Sequence, residues 1–112
     1  MEISTRKVGD VLVADCVGSL DTQTSGPATE AMSRLTGESE GKLLINLSKL
    51  DFLSSAGLRV LLRAAKAQEA AGGVMKVCEP SGVVQEVLDI SGFASFVEVH
   101  AEEATALAAF NG

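Results

Sequence analysis

The feature that most constrains the fold is a short apolar run, KLLINL, over residues 42–47. Such a run is typical of a central strand that is buried on both faces. Soon after it, Leu58, Leu61, Leu62 and Ala65 recur at the i, i+3, i+4 and i+7 spacing of a helix, and we predict that they form its apolar stripe. The sequence AAGG then predicts the end of that helix. A buried strand followed by an amphipathic helix is the repeating unit of parallel α/β sheets.

Similar patterns recur along the rest of the chain. Apolar runs predict further strands over residues 2–8, 11–17, 74–78 and 96–99, and helical spacing predicts helices over residues 27–37, from Pro80-Ser81 to Ser91-Gly92, and over residues 101–110. The pair Gly9-Asp10 separates the first two strands and indicates a hairpin turn. Thr24 or Ser25 is a candidate helix cap, with Pro27 in the first turn.

The predicted fold class is therefore α/β. We expect a single domain over residues 1–112, with a mixed, mostly parallel sheet of about five strands covered by about four helices. Hydrophobic residues make up 46% of the chain, which supplies one core, and the absence of Trp and Tyr means that this core must be largely aliphatic.

Charge and cysteine content limit the possible partners. The net charge of −6 argues against binding to nucleic acid or to an anionic membrane surface. No apolar run approaches the length of about 18 residues needed to cross a bilayer, and Met1-Glu2-Ile3 begins a strand, unlike a secretory signal peptide. Cys16 and Cys78 both lie in strand-like runs, so we expect buried free thiols and a reducing, cytoplasmic setting.

Two adjacent serines, Ser54 and Ser55, stand between the central strand and the helix that follows it. One serine side chain can accept a hydrogen bond from a free N–H group at the helix start, which leaves the second hydroxyl unused. Gly57 allows another part of the backbone to approach closely. A phosphate esterified to a serine at this position would be stabilised by the helix dipole. The segment Gly18 to Asp21 also follows a strand, and we expect it to lie near the serines at the same sheet edge.

Other chemistry fits the serine turn poorly. A hydrolase elbow requires Gly-x-Ser-x-Gly, but Leu53 occupies the first glycine position, and His100 is the only histidine in the chain. The phosphate-binding motifs Gly-Lys-Ser/Thr and Gly-x-Gly-x-x-Gly are absent from the sequence. No cluster of His, Cys and carboxylate residues has the spacing of a metal site. We therefore expect no enzyme activity, no metal and no cofactor.

The motif around the serines resembles a known family signature. Leu44-Ile45-Asn46-Leu47, followed by LDFLSSAGL over residues 50–58, is similar to the signature of bacterial anti-sigma-factor antagonists, the STAS domain family. Gly18-Ser19-Leu20-Asp21 resembles the Gly-Glu-Leu-Asp segment of that family, and residues 71–73 and 88–93 also match in the same order. The resemblance covers nearly the whole chain.

The resemblance implies a partner switch. In the family, a serine kinase of the histidine-kinase-like ATPase type holds a sigma factor or another target protein. The unmodified antagonist binds this kinase and displaces the target. The kinase then phosphorylates the antagonist, which dissociates, and a metal-dependent serine phosphatase restores it. The phosphorylated serine of the family matches Ser55, whereas Ser54 stands where the family usually has Asp. Asp21 matches the family's acidic residue near the phosphoacceptor, and Ala56 and Gly57 complete its surroundings.

The partner-binding surface is expected to lie around the same turn. It would comprise the polar and small residues of the two loops together with two basic residues of the helix: Asp21, Thr22, Ser54, Ser55, Gly57, Arg59 and Arg63. Arg59, Arg63 and Lys66 share one helix face, which could dock an acidic partner. Charged residues more commonly form a solvated face opposite the apolar stripe, and we favour this interpretation.

An alternative function remains open. Because Ser54 replaces the usual Asp, the chain could instead be a STAS scaffold or sensory module that is not phosphorylated, in an assembly that controls secretion, biofilm formation or lipid transport.

Overall fold

The computed structural model describes residues 1–111, in which five strands form one sheet in the order β1-β2-β3-β4-β5. The strands are β1 (Glu2–Val8), β2 (Val11–Leu20), β3 (Lys42–Leu53), β4 (Val74–Cys78) and β5 (Val99–His100). The helices are α1 (Ser25–Glu38), α2 (Ser55–Ala70), α3 (Gly82–Ser91) and α4 (Glu103–Asn111), with a 3-10 turn at Phe93–Ser95. Only the β1–β2 hairpin is antiparallel, and the other neighbours are parallel. The predicted mixed, mostly parallel sheet with four helices is confirmed.

The helices cover both faces of this sheet unequally. On one face, side chains from α1, α2 and α3 pack with alternate residues of β2, β3 and β4 in the larger core, in which Phe93 lies among aliphatic, methionine and cysteine side chains. On the other face, α4 contributes Ala106 to a smaller cluster with Val13, Leu44 and Cys78. Residues 43–47 of β3 are all buried because this central strand is covered on both sides.

The two strands that lead to the serine turn are longer than predicted. β2 continues to Leu20 and β3 to Leu53, where the patterns predicted ends at residues 17 and 47. Register shifts near Cys16 and between Gly18 and Ser19 let the pairing continue through polar residues. A bulge adds a residue without ending the ladder, so an interruption of the apolar pattern does not imply the end of the strand.

Two further expectations were wrong in detail. The last strand is Val99–His100, not residues 96–99, because the 3-10 turn precedes it and leaves Phe96 75% exposed. In α2, the fully buried apolar side chains are Val60, Leu61 and Ala64, whereas Leu58, Leu62 and Ala65 are only partly buried. The stripe is rotated because Gly57 lies on the side of α2 that meets the sheet.

Polar contacts attach α4 to the smaller face. The Arg6 guanidinium donates hydrogen bonds to Asp15 and to Glu103, and Asn46 Nδ2 donates to Glu103 Oε1 over 3.0 Å. The backbone N–H of Glu103 donates to Glu79 Oε2 over 2.8 Å, which caps the helix start. Hydrogen bonds from Arg6, and to a lesser extent from Asn46, hold the pKa of the Glu103 carboxyl below its usual range.

Both cysteines are buried free thiols, as predicted. Desolvation raises the pKa of each thiol to about 12. Within residues 1–111, no helix is long and apolar enough to cross a membrane.

Candidate functional site

The serine turn forms where β2 and β3 end side by side. Leu20 pairs with Leu53 at the last position of the parallel ladder. The backbone N–H of Ser54 then donates to Leu20 O over 3.0 Å, and α2 begins at the next residue. The predicted proximity of the loop after β2 and the loop after β3 is therefore confirmed.

Gly57 makes this close approach possible. A Cβ atom at this position would lie 2.8 Å from Leu20 Cγ and 2.9 Å from Leu53 Cδ1, and it would also overlap the carbonyl oxygen of Leu20. Real Cβ contacts are not this short, so no larger residue fits without movement of α2 away from β2. The absence of a side chain at Gly57 thus sets how closely the helix start approaches the strand ends.

The two serines have different surroundings. Ser54 is the N-cap of α2, with extended backbone angles (φ −91°, ψ 175°), and its Oγ accepts a hydrogen bond from Gly57 N over 3.2 Å. Ser55, the first residue of α2, is exposed. Its hydroxyl forms no side-chain hydrogen bond with any other residue in the described part of the chain. The serine pair is thus divided into one structural hydroxyl and one free hydroxyl.

Asp21 supports the neighbouring loop. Its Oδ1 accepts hydrogen bonds from Gln23 N over 2.9 Å and from Thr24 N over 3.1 Å. In return, Thr24 Oγ1 accepts from Asp21 N over 2.9 Å and donates to Ser19 O over 3.0 Å. Among residues 1–111 no hydrogen bond joins the Asp21 carboxylate to Ser54 or Ser55. Thr22 is exposed beside it.

A groove between α1 and α2 begins beside the serine turn. It has a volume of about 430 Å³, and Ala56, Arg59 and Arg63 line its α2 side. The α1 side includes Ser25, Gly26, Thr29 and Glu30, of which the sequence patterns singled out Ser25 alone, and only as a candidate helix cap. Exposed polar residues carry no periodic signal that would reveal which helix they face, so only the packing of α1 on α2 brings them to this groove.

The basic residues of α2 are solvent-exposed. Arg59, Arg63 and Lys66 are all exposed, as expected for the face opposite the core. No carboxylate oxygen in residues 1–111 lies within 4.0 Å of the guanidinium nitrogens of Arg59 or Arg63. The carboxylate of Glu30, across the groove, is also farther away than this. Positive charge is therefore available close to Ser55. Residues 1–111 also contain no group of His, Cys, Asp and Glu side chains that could hold a metal ion.

The capping role of Ser54 predicts the effect of changing it. We expect Ser54→Ala to lower the free energy of unfolding by about 1 kcal/mol, because the Gly57 N–H loses its acceptor. Ser54→Asp should leave stability within about 0.5 kcal/mol of the wild type, because aspartate is an equally good cap. Urea denaturation measures both values. Equal stability of the alanine variant and the wild type would contradict the capping role.

Comparison with known proteins is consistent with these features. The STAS domain family model matches residues 2–106. BtrV of Bordetella bronchiseptica, a candidate anti-sigma factor antagonist, is 32% identical over 110 residues, which covers 98% of this chain and 95% of BtrV. An anti-sigma F factor antagonist of Paenibacillus polymyxa is 31% identical over 98 residues, covering 87% of this chain and 84% of the relative.

Solved structures share the fold at lower sequence identity. An anti-sigma factor antagonist from Mycobacterium paratuberculosis superposes with a TM-score of 0.90 at 21% identity, covering 99% of this chain and 94% of its own. The phosphorylated form of SpoIIAA, a Bacillus cell fate determinant, has a TM-score of 0.69 at 21% identity, with coverage of 95% and 96%. The family match over nearly the whole chain and the two relatives above 30% identity establish that this chain belongs to the STAS domain family.

Proposed function

We propose that this chain is an anti-sigma factor antagonist whose binding to its partner is switched off by phosphorylation of Ser55. The observation that carries the proposal is that the two serines of the turn differ in their hydrogen bonds and exposure. Ser54 caps α2, whereas the Ser55 hydroxyl is exposed and free of hydrogen bonds to other described residues. A kinase can therefore reach this hydroxyl without breaking any contact that holds the fold together.

The proposed partner is an anti-sigma factor with serine-kinase activity of the histidine-kinase-like ATPase type. The names of the two relatives above 30% identity support an anti-sigma factor as partner. In the proposed step, Ser55 Oγ attacks the γ-phosphorus of ATP. A new Oγ–P bond forms, the bond to the leaving ADP breaks, and the hydroxyl proton passes to a base of the kinase. A serine phosphatase reverses the modification by hydrolysis, releasing inorganic phosphate.

Phosphorylation can act here through local charge alone. Phosphate adds a charge of about −1.5 to −2 at pH 7, and the amino end of a helix stabilises an anion. The same charge placed in an interface introduces repulsion and desolvation, which weaken binding by several kcal/mol. The fold of the antagonist therefore stays intact while its affinity for the kinase falls. We place this cycle in the cytoplasm, where ATP is available and free thiols such as Cys16 and Cys78 persist.

Intact-mass measurement with the cognate kinase and ATP tests the proposal. The wild type should gain about 80 Da, the mass of one phosphoryl group, and Ser55→Ala should gain nothing. Ser54→Ala is the matched control and should still be modified, because it keeps the exposed hydroxyl. Full modification of Ser55→Ala would contradict the assignment. No mass gain in the wild type would favour a scaffold or sensory role without phosphorylation, for which the serine in place of the usual Asp is the supporting feature.

A further inference from the structure

The positions of Ser55 and Arg59 suggest how the switch works on the antagonist itself. Ser55 is the first residue of α2, and Arg59 follows four positions later, one helical turn away on the same face. Both side chains are exposed. An anion four residues before a cation is the more favourable order of such a pair along a helix.

Arg59 is free to form this pair. In the part of the chain described, no carboxylate oxygen lies within 4.0 Å of its guanidinium, although Glu30 lines the opposite side of the groove. Arg63 lines the same groove one turn further along. It is eight positions from Ser55 and therefore two turns away, beyond the reach of an i, i+4 contact. The helix thus provides one arginine in position to pair with residue 55 and a second, similar arginine that is not.

We propose that phosphoserine at position 55 pairs with Arg59 and thereby removes this arginine from the groove between α1 and α2. The inference rests on the proposed function, because it assumes that Ser55 is the modified residue. In the unmodified protein, Arg59 and Arg63 outnumber Glu30, the one carboxylate in the groove lining, and this net positive charge suits an acidic segment of the partner. After modification, the guanidinium of Arg59 forms charge-assisted hydrogen bonds to the phosphate oxygens.

This pairing gives the phosphate two effects on the partner. The first is the new negative charge at the turn, which repels an acidic segment. The second is the loss of one positive charge from the groove, since a guanidinium held by the phosphate no longer pairs with the partner. Glu30 strengthens the second effect, because the groove then retains one free arginine against one carboxylate. The α1–α2 groove therefore changes from attractive to nearly neutral for an acidic segment.

The pairing can be measured without any partner. Phosphoserine is incorporated at position 55 during translation, and ³¹P NMR follows the second pKa of the phosphate in the otherwise wild-type chain, in Arg59→Gln and in Arg63→Gln. A nearby cation favours the dianion, so we expect Arg59→Gln to raise this pKa by roughly 0.2 to 0.4 units. Arg63→Gln is the matched control and should change it by less than about 0.1 units, because two turns of helix separate the groups. The helix amino end acts equally on all three proteins, so their differences isolate the arginine.

The outcomes separate this inference from the proposed function. Equal phosphate pKa values in Arg59→Gln and Arg63→Gln would overturn the pairing, even if the kinase does modify Ser55. A selective effect of Arg59→Gln would support the pairing, even if the cognate kinase chose another residue. Salt provides a second measurement, since the difference between the two variants should shrink at about 1 M salt, where screening acts over roughly 3 Å. Circular dichroism checks the fold, which both variants should retain because the two arginines are exposed.

Discussion

Replacing Gly57 by alanine is expected to lower the free energy of unfolding by about 3 kcal/mol, because overpacking at a buried contact is costly. The new methyl group would overlap Leu20 O and would come within 3 Å of Leu20 Cγ and Leu53 Cδ1. Backbone atoms of β2 cannot rotate away as a flexible side chain can. The start of α2 would have to move, and it would carry Ser54 and Ser55 with it.

The same substitution at Gly37 is the matched control. Gly37 lies near the end of α1, and a Cβ atom there would meet nothing within 4 Å. Alanine restricts the unfolded chain and suits a helix better than glycine, so Gly37→Ala should raise stability by up to about 1 kcal/mol. Urea denaturation of both variants gives the comparison. A similar response at the two sites would show that the close approach at Gly57 does not limit the packing of α2.

Phosphorylation of Ser55 is expected to weaken binding to the anti-sigma partner by about a hundredfold. This factor corresponds to about 2.8 kcal/mol, which is within the range for a like-charge or desolvated contact in an interface. Isothermal titration or surface plasmon resonance with phosphorylated and unmodified protein measures the ratio of Kd values. Ser55→Glu should reproduce part of the loss, since it carries less charge than a phosphate dianion.

Two controls show whether the charge acts locally. Ser95→Glu adds the same charge at an exposed serine of the 3-10 turn, away from the groove, and should leave affinity within about threefold of the wild type, since single rim charges contribute little. The melting temperature of the phosphorylated protein should not fall, because the helix amino end favours an anion. Loss of affinity accompanied by unfolding would contradict a switch that works through surface charge.

Most of the fold could be predicted because its signals are local. The buried run over residues 42–47 predicts the central strand by its apolar pattern, and the glycines that follow α2 and α3 mark the ends of those helices. The ends of β2 and β3 were missed since bulged strands continue through Ser19 and Asp51, where the apolar pattern has already stopped. The rotation of α2 was missed because glycine adds nothing to an apolar pattern, although Gly57 lies on the side that packs most closely.

The site was partly predictable for a similar reason. Two serines before a helix predict an N-cap, but the sequence alone does not show which of them accepts the hydrogen bond. In the structure the capping residue is Ser54, because its backbone is extended. Strand ends in parallel sheets meet at one edge, so the loops near Asp21 and Ser55 could be placed together. Glu30 and Thr29 reach the groove through the packing of α1 against α2, and no motif marks such a tertiary contact.

The two buried thiols lie on opposite faces of the sheet. Cys16 belongs to the larger core under α1, α2 and α3, whereas Cys78 belongs to the smaller cluster under α4. A thiol reagent reacts with the exposed thiolate, so each cysteine is protected until its own side of the sheet opens. The rate at which each cysteine is labelled therefore measures how often its own side of the sheet opens. Labelling of Cys78 before Cys16 would indicate that α4 detaches before the rest of the molecule unfolds.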